Sequence, residues 1–454
     1  MRWLFSFLLL WLSATVSALS ASGNRVLVVL EDATEKDKYS SFWTDLETRG
    51  FKLSFESPKK TGLSLFHLGQ RAYDHLLLLP PKSKAYGPAL TPNLILDFMK
   101  AEGNVLLTLT AASPVPSGIV SLLLELDIHL PTDRNAGLVD HFSHDESAPE
   151  THDILLVQAP KPLRPDVKNF FAGSGKPIAV PRAVGQNLGS ASPLLAPILR
   201  APSTTYSTSP NEESVEDLWA SGNQISIASA HQARNSARLT VLGSAEMLED
   251  KWFGEKYGNK EFSKQVSGWT FKELGVLKVG RLEHYLNEGP VKNNETTLSS
   301  ADLNPTIYRI KNDVTYMIEL SEWSNDHFEP YTTPATDTVQ LEFSMLSPFH
   351  RLPLKPVSQT VNSTVYTTSF KLPDQHGIFN FRVNYKRPFL TNVDEKREVS
   401  VRHFAHNEWP RSWAISGAWV WILGIWGTSA AWVAFIAVWM YSEPVKQDRG
   451  KKTQ

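Results

Sequence analysis

The residues best equipped for chemistry gather in one stretch, "DHFSHDESAPETHD", at 140–153. It holds Asp140, His141, His144, Asp145, Glu146, His152 and Asp153. On a helix, His141 and His144 would share a face at a spacing of three, and a nearby carboxylate would complete a zinc shell. Ser147, Ala148 and Pro149 interrupt the stretch, so it reads as a solvated loop, with packing against a partner as an alternative use. Three further places fall short of a site. "TLTAASPVPSG" offers Ser113, but there is no G-x-S-x-G elbow to present a nucleophile. "AGSGKPIAV" at 172–180 resembles the end of a phosphate loop, yet Pro177 stands where Ser or Thr is needed and Phe170 where the first glycine belongs. "EDATEKDK" is acidic and lacks glycine, so it cannot cradle a pyrophosphate. The chain has no cysteine, which removes thiolate nucleophiles, thiolate metal sites and disulfides together. No catalytic, cofactor-binding or metal-ligating residue is therefore expected in this chain.

The elements that would carry such residues fall into two textures. With 454 residues, 42% of them apolar, two or three domains are expected. A net charge of −2 gives no basic field for nucleic acid. Over residues 23–280, apolar runs alternate with amphipathic stretches. "RVLVVLED" at 25–32 reads as a strand buried on both faces. A helix is expected at 40–49, closed by Gly50, then strands at 51–55 and 73–81. "TPNLILDFMKAEG" supplies Thr91 as N-cap, Pro92 in the first turn and Gly103 as terminator. "NVLLTLT", "SGIVSLLLELDI" and "DILLVQA" continue the alternation. A doubly wound α/β domain follows.

Residues 281–302 read as a linker. From 303 to 411 the period drops to two: Val314, Tyr316, Ile318 and Leu320, then Val339, Leu341, Phe343 and Met345, then Phe379, Phe381, Val383 and Tyr385. This predicts an antiparallel β-sandwich. Residues 412–442 carry no charge over 31 positions, enough for one transmembrane helix. Trp413, Trp419, Trp439 and Tyr441 stand near its ends as interfacial residues. Gly417, Gly424, Gly427 and Ala431 form a small-residue face suited to helix packing, although glycine is common in membrane helices anyway.

The N-terminus, "MRWLFSFLLLWLSATVSALSASG", has the pattern of a signal peptide, 1–18, cleaved after Val16-Ser17-Ala18, with Leu19-Ser20-Ala21 as the second choice. A retained anchor is the alternative, but the run is short for a span. A cleaved signal and one stop-transfer helix make a single-pass type I protein, its bulk lumenal and residues 443–454 a cytosolic tail. Lysines and arginines flank the span on both sides and do not set the orientation. Asn294 and Asn362 head N-x-S/T sequons, candidates for glycosylation on the lumenal side. The ending "RGKKTQ" places Lys451 and Lys452 third and fourth from the end, as in the dilysine signal that returns membrane proteins to the endoplasmic reticulum.

Four stretches together resemble one family. They are "SAHQARNSARLTVLGSAEML" (229–248), "VSGWTFKELGVLKV" (266–279), "YRIKNDVTYMIELSEW" (308–323) and "FKLPDQHGIFNFRVNYKRPFLTNVDEKREVSVRHFAHNEWPRS" (370–412). The chain is similar, in order from about residue 23 through the span, to the 48 kDa subunit family of oligosaccharyltransferase, and its dilysine ending is like that of fungal members. The resemblance implies an accessory, non-catalytic subunit of the complex that transfers oligosaccharide from dolichyl diphosphate to Asn in N-x-S/T sequons. It implies a separate multispanning catalytic subunit and further accessory subunits as partners, and residence in the endoplasmic reticulum membrane. It also implies an α/β domain similar to glutamine amidotransferases, here without their cysteine nucleophile. The rival readings are a single-pass cargo or lectin-like receptor, and a lumenal hydrolase with an unrecognised site.

Overall fold

The computed structural model describes residues 20–60, 62–147, 150–190, 192–209, 218–287, 303–324, 326–406 and 418–444. In its first region the strands β1 (Arg25–Val29), β2 (Lys52–Glu56), β3 (His75–Leu78), β4 (Asn104–Thr108), β5 (Ile225–Gln232) and β6 (Arg238–Leu242) share one sheet. Their order is β2-β1-β3-β4-β6-β5; the first five are parallel neighbours, and β5 runs antiparallel to β6. The edge strand Leu195–Arg200 pairs with β5.

The continuous apolar runs have a physical reason. In β1, Val26 and Val28 enter one hydrophobic cluster while Leu27 and Val29 enter another. Leu77 and Leu76 divide in the same way, as do Leu106 and Val105. Both faces of the sheet are therefore covered, and every position must be apolar. One face is covered by α1 (Ser40–Thr48) through Phe42, Trp43 and Leu46, and by α4 (Asn259–Thr270) through Phe262, Val266 and Trp269. The other is covered by α2 (Pro92–Lys100) and α3 (Ser117–Glu125) through Ile95, Phe98, Ile119, Leu122 and Leu123. Thr91 caps α2, accepting from the Leu94 N–H. The end of α2 differs in detail from expectation. Glu102, not Gly103, takes the left-handed conformation, at φ 67°. Gly103 is required because a Cβ there would lie 2.3 Å from the Phe98 ring.

The second region is two five-stranded antiparallel sheets. One has the path β7 (Val276–Leu286), β8 (Asp313–Ser324), β10 (Thr364–Lys371) and Lys355–Gln359, with His327–Pro330 beside β8. The other orders Ile307–Arg309, β12 (Val393–Arg402), β11 (Gly377–Tyr385), β9 (Gln340–Ser344) and Pro348–Pro353. Val314, Tyr316, Ile318 and Leu320 face Leu341, Phe343, Phe379, Phe381 and Val383, all buried. The alternation holds except at Met345: pairing ends at Ser344, and Met345 lies half-buried in the turn. The expected boundary at 280 is corrected. β7 crosses it, pairing with β8 from Val276↔Trp323 to Leu286↔Val314, so the second region begins at Val276. Of the expected linker, residues 288–302 lie outside the described residues.

The two regions are fastened around a buried charge. Arg238, fully buried at the start of β6, donates to the carbonyls of Trp269 (2.5 Å), Leu274 (2.7 Å) and Gly275 (2.6 Å), and its guanidinium lies 4.7 Å from the centre of the Trp269 ring. Burial lowers its pKa to about 9. Trp269 Nε1 in turn donates to the Phe389 carbonyl at 2.8 Å, and Gln232 Nε2 to that of Leu390 at 2.6 Å. The Thr391 amide donates to Gly275 O (3.0 Å), and its hydroxyl bridges the Leu277 backbone. The β11–β12 connection is thus built into the first region, with Phe389 in its core.

A separate unit holds α5 (Ala418–Tyr441), long and apolar enough to cross a membrane. Its 24 residues extend about 36 Å, against a hydrocarbon core of roughly 30 Å. Residues 412–417 of the expected span lie outside the described residues.

Replacing Arg238 by leucine would strip the Leu274 carbonyl of its donor and leave the Trp269 and Gly275 carbonyls only the amides of Lys272 and Thr391, so the R238L chain is expected to lose about 2–4 kcal/mol. W269F, which keeps a ring but drops the Nε1 donor, is expected to lose only about 1–2 kcal/mol. Denaturant midpoints of the full chain in detergent check both.

Candidate functional site

The polar stretch at 140–153 forms no helix. Asp140 is buried and accepts from the amides of Phe142 (2.8 Å) and Ser143 (2.9 Å) and from the hydroxyls of Thr204 and Thr205. Asp145 accepts from Lys256 Nζ, Tyr257 OH (each 2.8 Å) and the Ser147 hydroxyl (2.6 Å). Although burial opposes it, these donors hold the Asp145 carboxyl well below the usual carboxylate range. Both carboxylates are thus spent on bracing the loop. The three histidines do meet, but through His152: the His141 and His152 Nδ1 atoms are 2.5 Å apart, and the His144 and His152 rings lie tilted with their centres 4.0 Å apart. His141 Nε2 is also 2.8 Å from Tyr206 OH. Among the described residues no group of three His, Cys, Asp or Glu is placed to hold a metal ion.

Open α/β sheets take ligands at the carboxyl ends of their strands. There, beyond β1, Glu31 accepts from Lys59 Nζ (2.6 Å) and the Ser83 amide (2.8 Å). Glu246 holds Arg182 at 2.7 Å and accepts from Thr110 Oγ1 at 3.2 Å. Burial and the neighbouring Glu246 push the Glu249 carboxyl upward. Ser113 borders a space of only ≈ 10 Å³, no more than one water. The 172–180 stretch turns and enters the strand Ile178–Pro181, with Lys176 Nζ on the Glu255 carbonyl at 2.7 Å, so it presents no helix N-terminus to a phosphate. A wider groove of ≈ 550 Å³ runs beside the Leu195–Arg200 edge strand, walled by Leu156, Pro160, Pro162, Pro197, Leu199 and Pro202.

The other expected positions separate. Asn362 is exposed in the turn Thr360–Ser363 that leads into β10, while Thr364 of the same sequon is buried. Gly424, Gly427 and Ala431 lie on α5, and a Cβ on either glycine would meet nothing within 4 Å. Asn294, Gly417, Lys451 and Lys452 lie outside the described residues. No sequence motif marks Arg238 or the 386–392 connection; the arginine heading the apolar run "RLTVL" is the one signal the sequence carries.

The arrangement is that of a membrane-anchored chain with an α/β region and a β-sandwich locked together, its polar clusters committed to internal support. The family model "OST48, N-terminal domain" matches residues 17–273, and "OST48 middle domain" matches 291–443. A 48 kDa subunit of dolichyl-diphosphooligosaccharide–protein glycosyltransferase from Arabidopsis thaliana is 32% identical over 89% of this chain and 90% of its own length. Subunit wbp1 of Schizosaccharomyces pombe is 32% identical over 89% and 90%, and WBP1 of Saccharomyces cerevisiae 30% over 94% and 93%. The chain belongs to the OST48 family.

Three buried histidines make the fold acid-sensitive. His75 is the clearest: its Nε2 meets the Gly23 carbonyl at 3.0 Å while Nδ1 accepts from Asn104 Nδ2 at 3.2 Å, which only the neutral ring satisfies. Burial lowers His75, His231 and His284 to about 4. The unfolded chain binds these protons first, so stability is full above about pH 6.5 and falls as pH drops toward 4. At pH 5 each histidine is expected to cost about 2 kcal/mol relative to pH 7. Melting temperatures from pH 7.5 to 4.5 should fall, and H284N should flatten the profile.

Proposed function

We propose that this chain is a non-catalytic accessory subunit of the oligosaccharyltransferase complex, which moves oligosaccharide from dolichyl diphosphate to asparagine in N-x-S/T sequons. The observation that carries the reading is collinear likeness, over about nine-tenths of each chain, to subunits of that glycosyltransferase. The chain needs no cofactor of its own. Its partners are a multispanning catalytic subunit and further accessory subunits. The α/β region adopts the glutamine-amidotransferase-like architecture without the cysteine that chemistry requires. Processing after Ala18 retains Ser20 and Ala21, whose bonds to the carbonyls of Phe271 (2.6 Å) and Lys272 (3.0 Å) would be lost by cleavage after Ala21. The folded regions are lumenal, the span crosses the endoplasmic reticulum membrane once, Lys451 and Lys452 return the protein there, and Asn294 and Asn362 are open to glycosylation.

Assembly runs through the span. Gly424, Gly427 and Ala431 recur at three and four residues, so they form one stripe that lets a neighbouring helix approach closely. Gly417 extends the same seven-residue spacing. A pull-down of the tagged full chain in mild detergent, read by mass spectrometry, is expected to recover a multispanning glycosyltransferase. The G424L/A431L chain should recover several-fold less while melting at the same temperature. Recovery of cargo glycoproteins alone would contradict the accessory-subunit reading, and undiminished recovery by the variant would contradict the helix face.

A further inference from the structure

One end of the β-sandwich exposes apolar side chains that packing does not explain. The β9 hairpin tip carries Leu346, 100% exposed, followed by Phe349, 37% exposed, in the return strand. The start of β11 adds Ile378, 63% exposed on the outer face. These residues are neighbours. Ser344 pairs with Asn380, a Cβ on Gly377 would lie 2.6 Å from Met345 Sδ, and the Phe349 and Phe379 rings are 5.4 Å apart. The sequence pattern hid this cluster, because Leu346 and Ile378 fall outside the inward alternation.

The place of the cluster gives it meaning. β12 pairs Val401 with Gly377, so the chain leaves the sandwich at Arg402 beside Ile378. Residues 403–417 then lead to α5, a fully extended reach of roughly 50 Å at most. The opposite end of the sandwich, beyond the Tyr385↔Val393 pair, is the one built into the α/β region, through Phe389, Leu390 and Asn392. Val361 and Asn362, near Thr364 at the start of β10, also lie away from the cluster, since the eight residues of β10 separate the ends by roughly 25 Å.

We propose that this end of the sandwich seats on the lipid surface, with Leu346, Phe349 and Ile378 entering the interfacial zone of the bilayer that α5 crosses. The proposal rests on the membrane anchoring by α5. A lipid surface fits better than a protein. A stable protein interface draws on about 20–30 residues a side, whereas the exposed apolar side chains here are Leu346, Phe349 and Ile378 on a hairpin tip and one strand end. An interfacial anchor has no such threshold: each apolar group gains on entering, and a tethered chain is held close enough to profit from a few. In this reading the sandwich is a stalk that keeps the α/β region off the membrane.

The absence of cysteine makes the test clean, because a single introduced thiol takes the only label. Full-length Leu346→Cys, Val361→Cys and Ala431→Cys chains, each carrying an environment-sensitive fluorophore, are reconstituted in phosphatidylcholine vesicles. Quenching is read from nitroxide-bearing lipids and from aqueous iodide. The label at 431, inside the span, should be quenched by lipid, and the label at 346 by nitroxide near the headgroups about threefold more than at 361. Equal lipid quenching at 346 and 361 would overturn the proposal. So would a label at 346 shielded from iodide but untouched by lipid, the mark of a protein contact. An unquenched label at 431 would instead overturn the anchoring, and the proposal with it.

Discussion

A single buried guanidinium decides how this chain is put together. Taking an arginine out of water costs several kcal/mol unless its donors are met. The two terminal nitrogens of Arg238 meet the Trp269 carbonyl in the last turn of α4, where the helix dipole also favours positive charge, and the Leu274 and Gly275 carbonyls just beyond it, while the guanidinium lies over the face of Trp269. Those bonds fix the path from α4 into β7. Trp269 then holds the Phe389 carbonyl, and Thr391 takes up the Leu277 backbone. The sandwich can therefore attach only at the amino-terminal end of the parallel strands, where His75, Asn104 and Arg238 all begin their elements. The carboxyl ends are left facing away from the junction.

That geometry bears on function. An enzyme that closes on its substrate needs a hinge, and the junction here is a core in which both regions share Phe389 and Trp269. The titratable groups that looked most chemical, Asp140 and Asp145, are held ionised by hydroxyl, amide and ammonium donors and support a loop. A rigid body of this kind, tethered by one helix, suits a part that positions others.

Much of the architecture was legible in the sequence because local physics set it. Unbroken apolar runs mark strands covered twice, as β1 shows residue by residue. Thr91 and Pro92 announce α2, and the two-residue period from Val314 to Tyr385 marks inward faces. What was missed depends on distant partners. β7 reads as a domain end because its pairing strand lies some thirty residues on, across 288–302. Gly103 looks like a left-handed cap, yet the ring of Phe98 is its reason. His141 and His144 have helical spacing, but Asp140 caps a turn there, and His152 arrives from the far side of the loop. The hairpin at Leu346 likewise gains significance only when β11 and β12 bring Ile378 and the chain exit beside it.

The central claim is that the chain contributes by assembly and performs no transfer of its own. The most direct measurement is transfer of oligosaccharide from a dolichyl diphosphate donor to an N-x-T peptide, comparing the purified lone chain with the complex recovered through it, at equal concentration. Transfer by the complex and none by the lone chain is the predicted result. Turnover by the lone chain would contradict the account.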